Sequence, residues 1–184
     1  MPANPHDVTQ FWRAAGPQKW FAKSDAFDDA IRLKYEPTHH AAARGEYDAW
    51  IAEPEGALAL LLLLDQFPRN LYRGSAHQFA TDGKARAIAR QAVARGHDLA
   101  HEAALRPFFY LPFEHSEDLA DQDESVRLCE RLRDEAGDAD TLKWAHIHRD
   151  IIVRFGRFPH RNAALGRDTT AEEQAFLDGG GFSG

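Results

Sequence analysis

An uninterrupted apolar run near the middle of the chain, residues 57–64, most constrains the fold. A surface helix carries one apolar stripe, whereas a helix that is apolar on every side lies inside a protein. The run is also far too short to cross a bilayer. Pro54 suits a first helical turn, and Pro68 predicts an end near Phe67. We therefore expect a buried central helix over about residues 55–67.

Helical spacing extends along the rest of the chain, and no segment shows the period-2 alternation typical of strands. We expect a long helix over about 76–95, an apolar connection over 108–113, and a helix over about 139–155 that Gly156 stops. Thr170 and Glu173 have the spacing of a capping box. The pattern predicts an all-α fold of seven or more helices, a single helical domain over 1–178, and a flexible Gly-rich tail over 179–184.

Composition excludes several classes of protein. A net charge of −7 over 184 residues argues against a nucleic-acid partner. The single cysteine, Cys129, excludes an internal disulfide and a multi-cysteine zinc site, and its place between leucines indicates a core residue. Because no signal pattern or membrane-length run is visible, we expect a cytoplasmic protein with no membrane partner. We expect no metal and no cofactor; the oligomeric state stays open.

Two similar segments combine arginine and asparagine just past a Phe-Pro pair. The first, residues 67–70, follows the central helix, and the second, residues 158–162, follows the helix over 139–155. Meeting helix ends would form a clamp for a carboxylate or phosphate. The alternative is that Phe-Pro stops a helix well and Arg partners its last carbonyls. The expected ligand-binding residues are Arg69, Asn70, Arg73, Arg157, Arg161 and Asn162.

Histidines near carboxylates suggest a different chemistry. His115 follows an apolar run and precedes Ser116 and Glu117, so it is a candidate general base oriented by Glu114, Glu117 or Asp118. The same residues also fit an ordinary N-cap, with acids in the first helical turn. His146 and Asp150 share a helix face, whereas His148 points elsewhere. The candidate catalytic residues are His115, His160, Glu117 and Asp65.

Three segments together resemble a bacterial domain-of-unknown-function family, number 924. They are residues 65–73 (DQFPRNLYR), 111–118 (LPFEHSED) and 154–162 (RFGRFPHRN). The likeness covers nearly the whole chain, from Trp20 to Glu173. It implies a tetratricopeptide-like superfamily fold, with paired antiparallel helices in a stack that is irregular here because the 34-residue repeat is not legible. It implies no established activity.

Three hypotheses follow. The preferred one is a binding scaffold whose Arg/Asn/His pocket holds a small anionic ligand or a peptide segment. The second is a hydrolase-type enzyme in which His115 and His160 act as base and acid, with Asp65 or Glu117 as orienting carboxylates. The third is an internal salt-bridge network that fixes the order of the helices and binds nothing.

Overall fold

A computed structural model describes residues 3–182, and within that range every regular element is helical. This confirms the all-α prediction. No helix of the described chain is long and apolar enough to span a membrane. The α-helices are α1 Pro5–Ala15, α2 Pro17–Trp20, α3 Asp25–Ala43, α4 Pro54–Leu61, α5 Phe67–Leu71, α6 Asp82–Ala94, α7 Pro107–Glu114, α8 Leu119–Ala136, α9 Ala139–Phe155, α10 Asn162–Leu165 and α11 Ala171–Asp178.

Shorter helical turns join these helices. One π-helical turn, Leu62–Gln66, lies between α4 and α5. The 3-10 turns are Asp48–Ala52, Ala76–Phe79, His97–Ala100, Ala103–Leu105 and Pro159–Arg161.

The chain forms two compact units. The first contains the chain up to Arg73 together with His77–Pro112, and the second contains Gly74–Ala76 and the chain from Phe113 onward. A single helical domain over 1–178 stays a prediction. The expected tail over 179–184 falls partly outside the described residues, since 183 and 184 are not among them.

The central helix of the first unit is buried as the apolar run predicts. Residues 57–64 have no exposed surface, and α4 packs against α1 and α6. At its start Gly56 meets the backbone of Trp50 so closely that a Cβ atom there would lie 2.1 Å from the Trp50 carbonyl oxygen. Only glycine fits this approach, which seats α4 on the preceding turn.

Pro68 does not end the helix near Phe67, because a π turn lets the chain stay helical to Leu71. The Phe67 amide bonds to the Leu62 carbonyl, five residues back. Proline has no N–H for the Leu64 carbonyl, and the Thr81 hydroxyl donates to that oxygen at 2.5 Å instead. His39 Nδ1 lies 2.8 Å from the Leu63 carbonyl oxygen. Side chains thus satisfy backbone groups that the irregular turn leaves open.

Two expectations about the region from 76 to 113 were wrong. The helix expected over 76–95 is a 3-10 turn followed by α6, and the connection expected over 108–113 is the helix α7. Pro107 starts α7, and the buried Tyr110 hydroxyl donates to Asp98 Oδ2 at 2.9 Å. The aromatic run therefore forms core helix.

The second unit is built on α8 and α9, which pack along each other. Gly137 and Gly156 end them in left-handed conformation, with φ of 77° and 67°. Thr170 and Glu173 form the predicted capping box at the start of α11. Ser116 is not the N-cap of α8: Asp118 is, accepting from the Ala120 amide.

Candidate functional site

In the first unit, the predicted binding residues are held by buried carboxylates. Arg69 donates two hydrogen bonds of 3.1 Å to Asp82, and its Nη1 lies 3.4 Å from Asp65 Oδ1. Burial alone would lower the pKa of Arg69, but the charges of Asp65 and Asp82 outweigh it and raise that pKa. Asp28 accepts from Arg73 Nε at 2.5 Å and from Asn70 Nδ2 at 2.7 Å.

A similar arrangement occurs in the second unit. Arg157 donates to both oxygens of the buried Glu173 at 2.6 and 2.8 Å, and Asn162 Nδ2 donates to Glu173 at 3.3 Å. Arg157 lowers the pKa of Glu173 to about 2. A surface groove of about 390 Å³ runs beside this pair, between the end of α9 and the start of α11; Arg154 and Glu172 also line it.

The six predicted binding residues therefore fall into two groups. Arg69, Asn70 and Arg73 belong to the first unit, and the other three belong to the second. Pairing with buried carboxylates is what the structural-network hypothesis expects. An anion at Arg69, Arg73 or Arg157 would have to displace a carboxylate from a charge-assisted bond. Their binding role stays a prediction.

Two predicted orienting carboxylates have other partners. Asp65 Oδ2 accepts from the side-chain Nε2 of Gln66 at 2.6 Å, and Asp65 lies in the first unit. Glu117 receives two bonds of 2.9 Å from Arg167 and one of 2.9 Å from the Phe158 amide. Burial alone would raise the pKa of Glu117, but these hydrogen bonds and the Arg167 charge lower it. Glu117 thus fixes the backbone that leads into the turn carrying His160.

His115 and His160 lie in one cluster in the second unit, and His148 is its third member. The ring centroids of His115 and His148 are 6.4 Å apart, and both His148 and His160 contact the Phe158 ring, at 5.6 and 5.5 Å. The histidine cluster is defined here as His115, His148 and His160. It draws on the end of α7, on α9 and on the turn after α9.

His148 is the residue that sequence reasoning missed. Its Nδ1 lies 3.0 Å from Glu114 Oε1 and 2.9 Å from the Trp144 carbonyl oxygen, and both side chains are buried. Glu114 therefore orients His148. Spacing along α9 placed His148 on a different face from His146 and Asp150, and both of those residues are exposed.

His160 has a strongly lowered pKa. Burial, then the charge of Arg161, then His148 and His115 lower the pKa of His160 to about 3. The ring is therefore neutral at physiological pH. Its Nδ1 atom is buried with no hydrogen-bond partner within residues 3–182, and so is Asn162 Oδ1 two residues later. The Arg161 guanidinium lies 4.5 Å from the centroid of the Phe158 ring.

Two further kinds of site, a reactive cysteine and a metal site, can be checked in the described residues. Cys129 is fully buried, as predicted for a core residue, and burial raises the pKa of its thiol to about 12. Across the described chain, no three or more His, Cys, Asp or Glu side chains are arranged to hold a metal ion.

These features define an all-helical protein with a buried central helix in one unit and a histidine cluster in the other. The model of a family described as "Bacterial protein of unknown function (DUF924)" matches residues 8–181, so the chain belongs to that family.

One solved structure is very similar: a protein of unknown function, ATU0120, from Agrobacterium tumefaciens. It shares 50% sequence identity with this chain at a TM-score of 0.91, over 95% of this chain and 97% of that one. A search of curated proteins found no match. The tetratricopeptide-like superfamily fold stays a prediction.

Proposed function

We propose that the protein is a binding scaffold whose site is the histidine cluster of the second unit, and that this site takes an acidic group of a small ligand or peptide. Arg161 and Asn162, both predicted from sequence, flank the site. One observation carries the proposal: the Nδ1 atom of His160 is buried and lacks a hydrogen-bond partner within residues 3–182. Leaving such a group unpaired costs about 1–3 kcal/mol, which a ligand can recover.

The charged neighbours of His160 favour an anion, although burial, the largest cause of its lowered pKa, disfavours a charge of either sign. After burial, the groups that lower its pKa are Arg161, His148 and His115, and only Glu117 acts in the opposite direction. A potential that repels a proton from an imidazole attracts a negative charge to the same place. Glu117 already has a bidentate bond with Arg167, which offsets its repulsion of an anion.

Thermal unfolding with inorganic phosphate and with acetate tests the proposal. A ligand at 100 times its dissociation constant adds about 2.7 kcal/mol of stability. We expect stabilisation of the wild type, retention of that effect in His146→Ala, which changes an exposed histidine of α9, and its loss in His160→Ala. Equal stabilisation of all three proteins would place the anion elsewhere, and no stabilisation by either anion would remove the proposal.

Arg69, Asn70 and Arg73 belong to the same proposal as a second binding position, in the first unit. The double variant Arg69→Ala plus Arg161→Ala tests both positions. Loss of anion binding in a folded protein supports a binding role, whereas simple unfolding makes these arginines structural. A cytoplasmic location is also proposed, and cell fractionation tests it.

The His148–Glu114 pair favours a second candidate function, acid-base catalysis of hydrolysis. A carboxylate oxygen of Glu114 lies 3.0 Å from Nδ1 of His148 and orients its ring. His148 would take a proton from the attacking water and pass it to the leaving group, since His160, with a pKa of about 3, is too weak a base for this step. Assays with p-nitrophenyl esters and phosphates test this: turnover lost in His148→Ala and in Glu114→Gln supports it, and turnover unchanged in both removes it.

A further inference from the structure

The segment after α11 places an aromatic ring on the histidine cluster. The Phe182 ring centroid lies 4.5 Å from that of His148 and 5.1 Å from that of His160, edge to face in both cases. Trp144 is the next ring, at 6.1 Å. Edge-to-face packing at these distances is a favourable aromatic contact. The two imidazoles therefore form the walls of a slot that a benzyl group fills.

Glycines let the segment reach the cluster. Gly180 has φ of 79°, a conformation that side-chain-bearing residues rarely adopt. A Cβ atom on Gly181 would lie 2.6 Å from the Phe176 ring and from the Phe176 carbonyl oxygen. Residues 180 and 181 thus turn the chain back over α11 and bring Phe182 against a small apolar core that contains Ile151, Ile152 and Phe158.

We infer that Phe182 is a built-in occupant of the histidine site, so that the ligand of this site carries an aromatic group beside its acidic group and must displace Phe182. The inference rests on the proposed function for the acidic part of the ligand. The aromatic part of the ligand is inferred from the slot alone, because the two imidazole rings that form its walls already pack on the benzyl group of Phe182. Phe182 contacts the same histidine whose Nδ1 atom lacks a partner.

A covered site binds its ligand more weakly than an open one. The apparent dissociation constant equals the intrinsic constant divided by the fraction of molecules that are open. If Phe182 covers the slot about nine-tenths of the time, uncovering it strengthens binding of a ring-bearing acid about tenfold. An acid that does not need the slot gains much less.

Calorimetric titration with 3-phenylpropionate and with propionate tests the inference, since the two acids differ by one phenyl group. We expect Phe182→Ala to bind 3-phenylpropionate about tenfold more tightly than the wild type does, with little change for propionate. The control is Val153→Ala, which removes an exposed apolar side chain from α9 and leaves both affinities unchanged. Gly181→Ala must also strengthen the binding of 3-phenylpropionate, because the added methyl group displaces the segment while Phe182 stays intact.

Several results would overturn the inference. Equal gains for both acids would make Phe182 a general cover without a ring slot, and the absence of any gain in both variants would show that Phe182 does not compete. The neutral probe 3-phenylpropanamide separates this inference from the proposed function. If it binds Phe182→Ala while propionate, acetate and phosphate do not bind, the slot stands and the acidic-group proposal falls. If acetate still binds and neither ring-bearing probe binds, the acidic-group proposal stands and the slot falls.

Discussion

Replacing Arg69 with alanine tests whether this side chain stabilises the first unit from within. Arg69 is 19% exposed, and its guanidinium faces two carboxylates whose side chains are 1% and 11% exposed, those of Asp65 and Asp82. The substitution removes the cation that holds both charges. Removing one partner of a buried ion pair typically costs about 3–5 kcal/mol, because the remaining charge stays desolvated. We expect Arg69→Ala to lose stability in this range.

Urea unfolding followed by circular dichroism measures the effect directly. The matched control is Arg127→Ala, since Arg127 is 56% exposed and pairs with Glu124 on the surface of α8. Exposed helix pairs contribute about 0.3–0.5 kcal/mol, so this control should barely change the free energy of unfolding. A loss below about 1 kcal/mol in Arg69→Ala, similar to the control, would refute the reasoning.

The remaining predictions concern acid stability, packing and capping. The wild type should lose stability as pH falls from about 6.5 towards 3, because His160 is protonated in the unfolded state before it is protonated in the folded state. The free energy of unfolding should fall by at most about 1.4 kcal/mol per pH unit from this cause. Urea unfolding at a series of pH values should show a smaller slope in His160→Gln. Glu173 has a pKa of about 2, so its contribution to the free energy of unfolding is present above about pH 4.5 and is lost between pH 4.5 and 2. Glu173→Gln should remove this part of the pH dependence, and an unchanged pH dependence would contradict the lowered pKa of Glu173. Gly56→Ala should cost about 1–3 kcal/mol in thermal unfolding because the added Cβ atom meets the Trp50 carbonyl oxygen. Gly83→Ala on α6 should cost nothing, because the Cβ atom added there meets no group from outside its own stretch of helix within 4 Å. Comparable losses in both glycine variants would contradict the close approach. Thr170→Ala should cost about 1 kcal/mol, and no loss would mean that the capping box is not needed.

The helices were predictable where one local rule acts alone. Residues 57–64 are apolar on every side, so burial follows directly from the sequence. The stop at Gly156 and the cap at Thr170 depend on neighbouring residues only. In each case the physical cause lies within a few residues of the feature.

The features that depend on distant partners were not predictable. Helix continuity past Pro68 requires the Thr81 hydroxyl, thirteen residues later, on the carbonyl that proline cannot satisfy. The helix α7 looked like a connection because its aromatic run has no helical stripe; a helix buried on all sides needs none.

The histidine cluster shows the same limit at the candidate site. His115 was identified as a candidate because an apolar run precedes it, and His160 because it lies in the arginine-rich segment past the second Phe-Pro break. The pairing of Glu114 with His148 spans 34 residues and two helices, so the sequence offered the nearer pair of His146 and Asp150 instead. Spacing along one helix identifies shared faces, but it does not say which face meets another element.

Side-chain NMR of the histidine cluster in the 184-residue chain tests the central claim most directly. In a titration with phosphate or acetate, we expect the Nδ1 resonance of His160 to move with saturation and its pKa to rise from about 3, because a bound anion stabilises the imidazolium. His146, exposed on α9, should stay unchanged. If both anions leave His160 where it was, or move the two histidines alike, the histidine cluster is not a binding site for an acidic group.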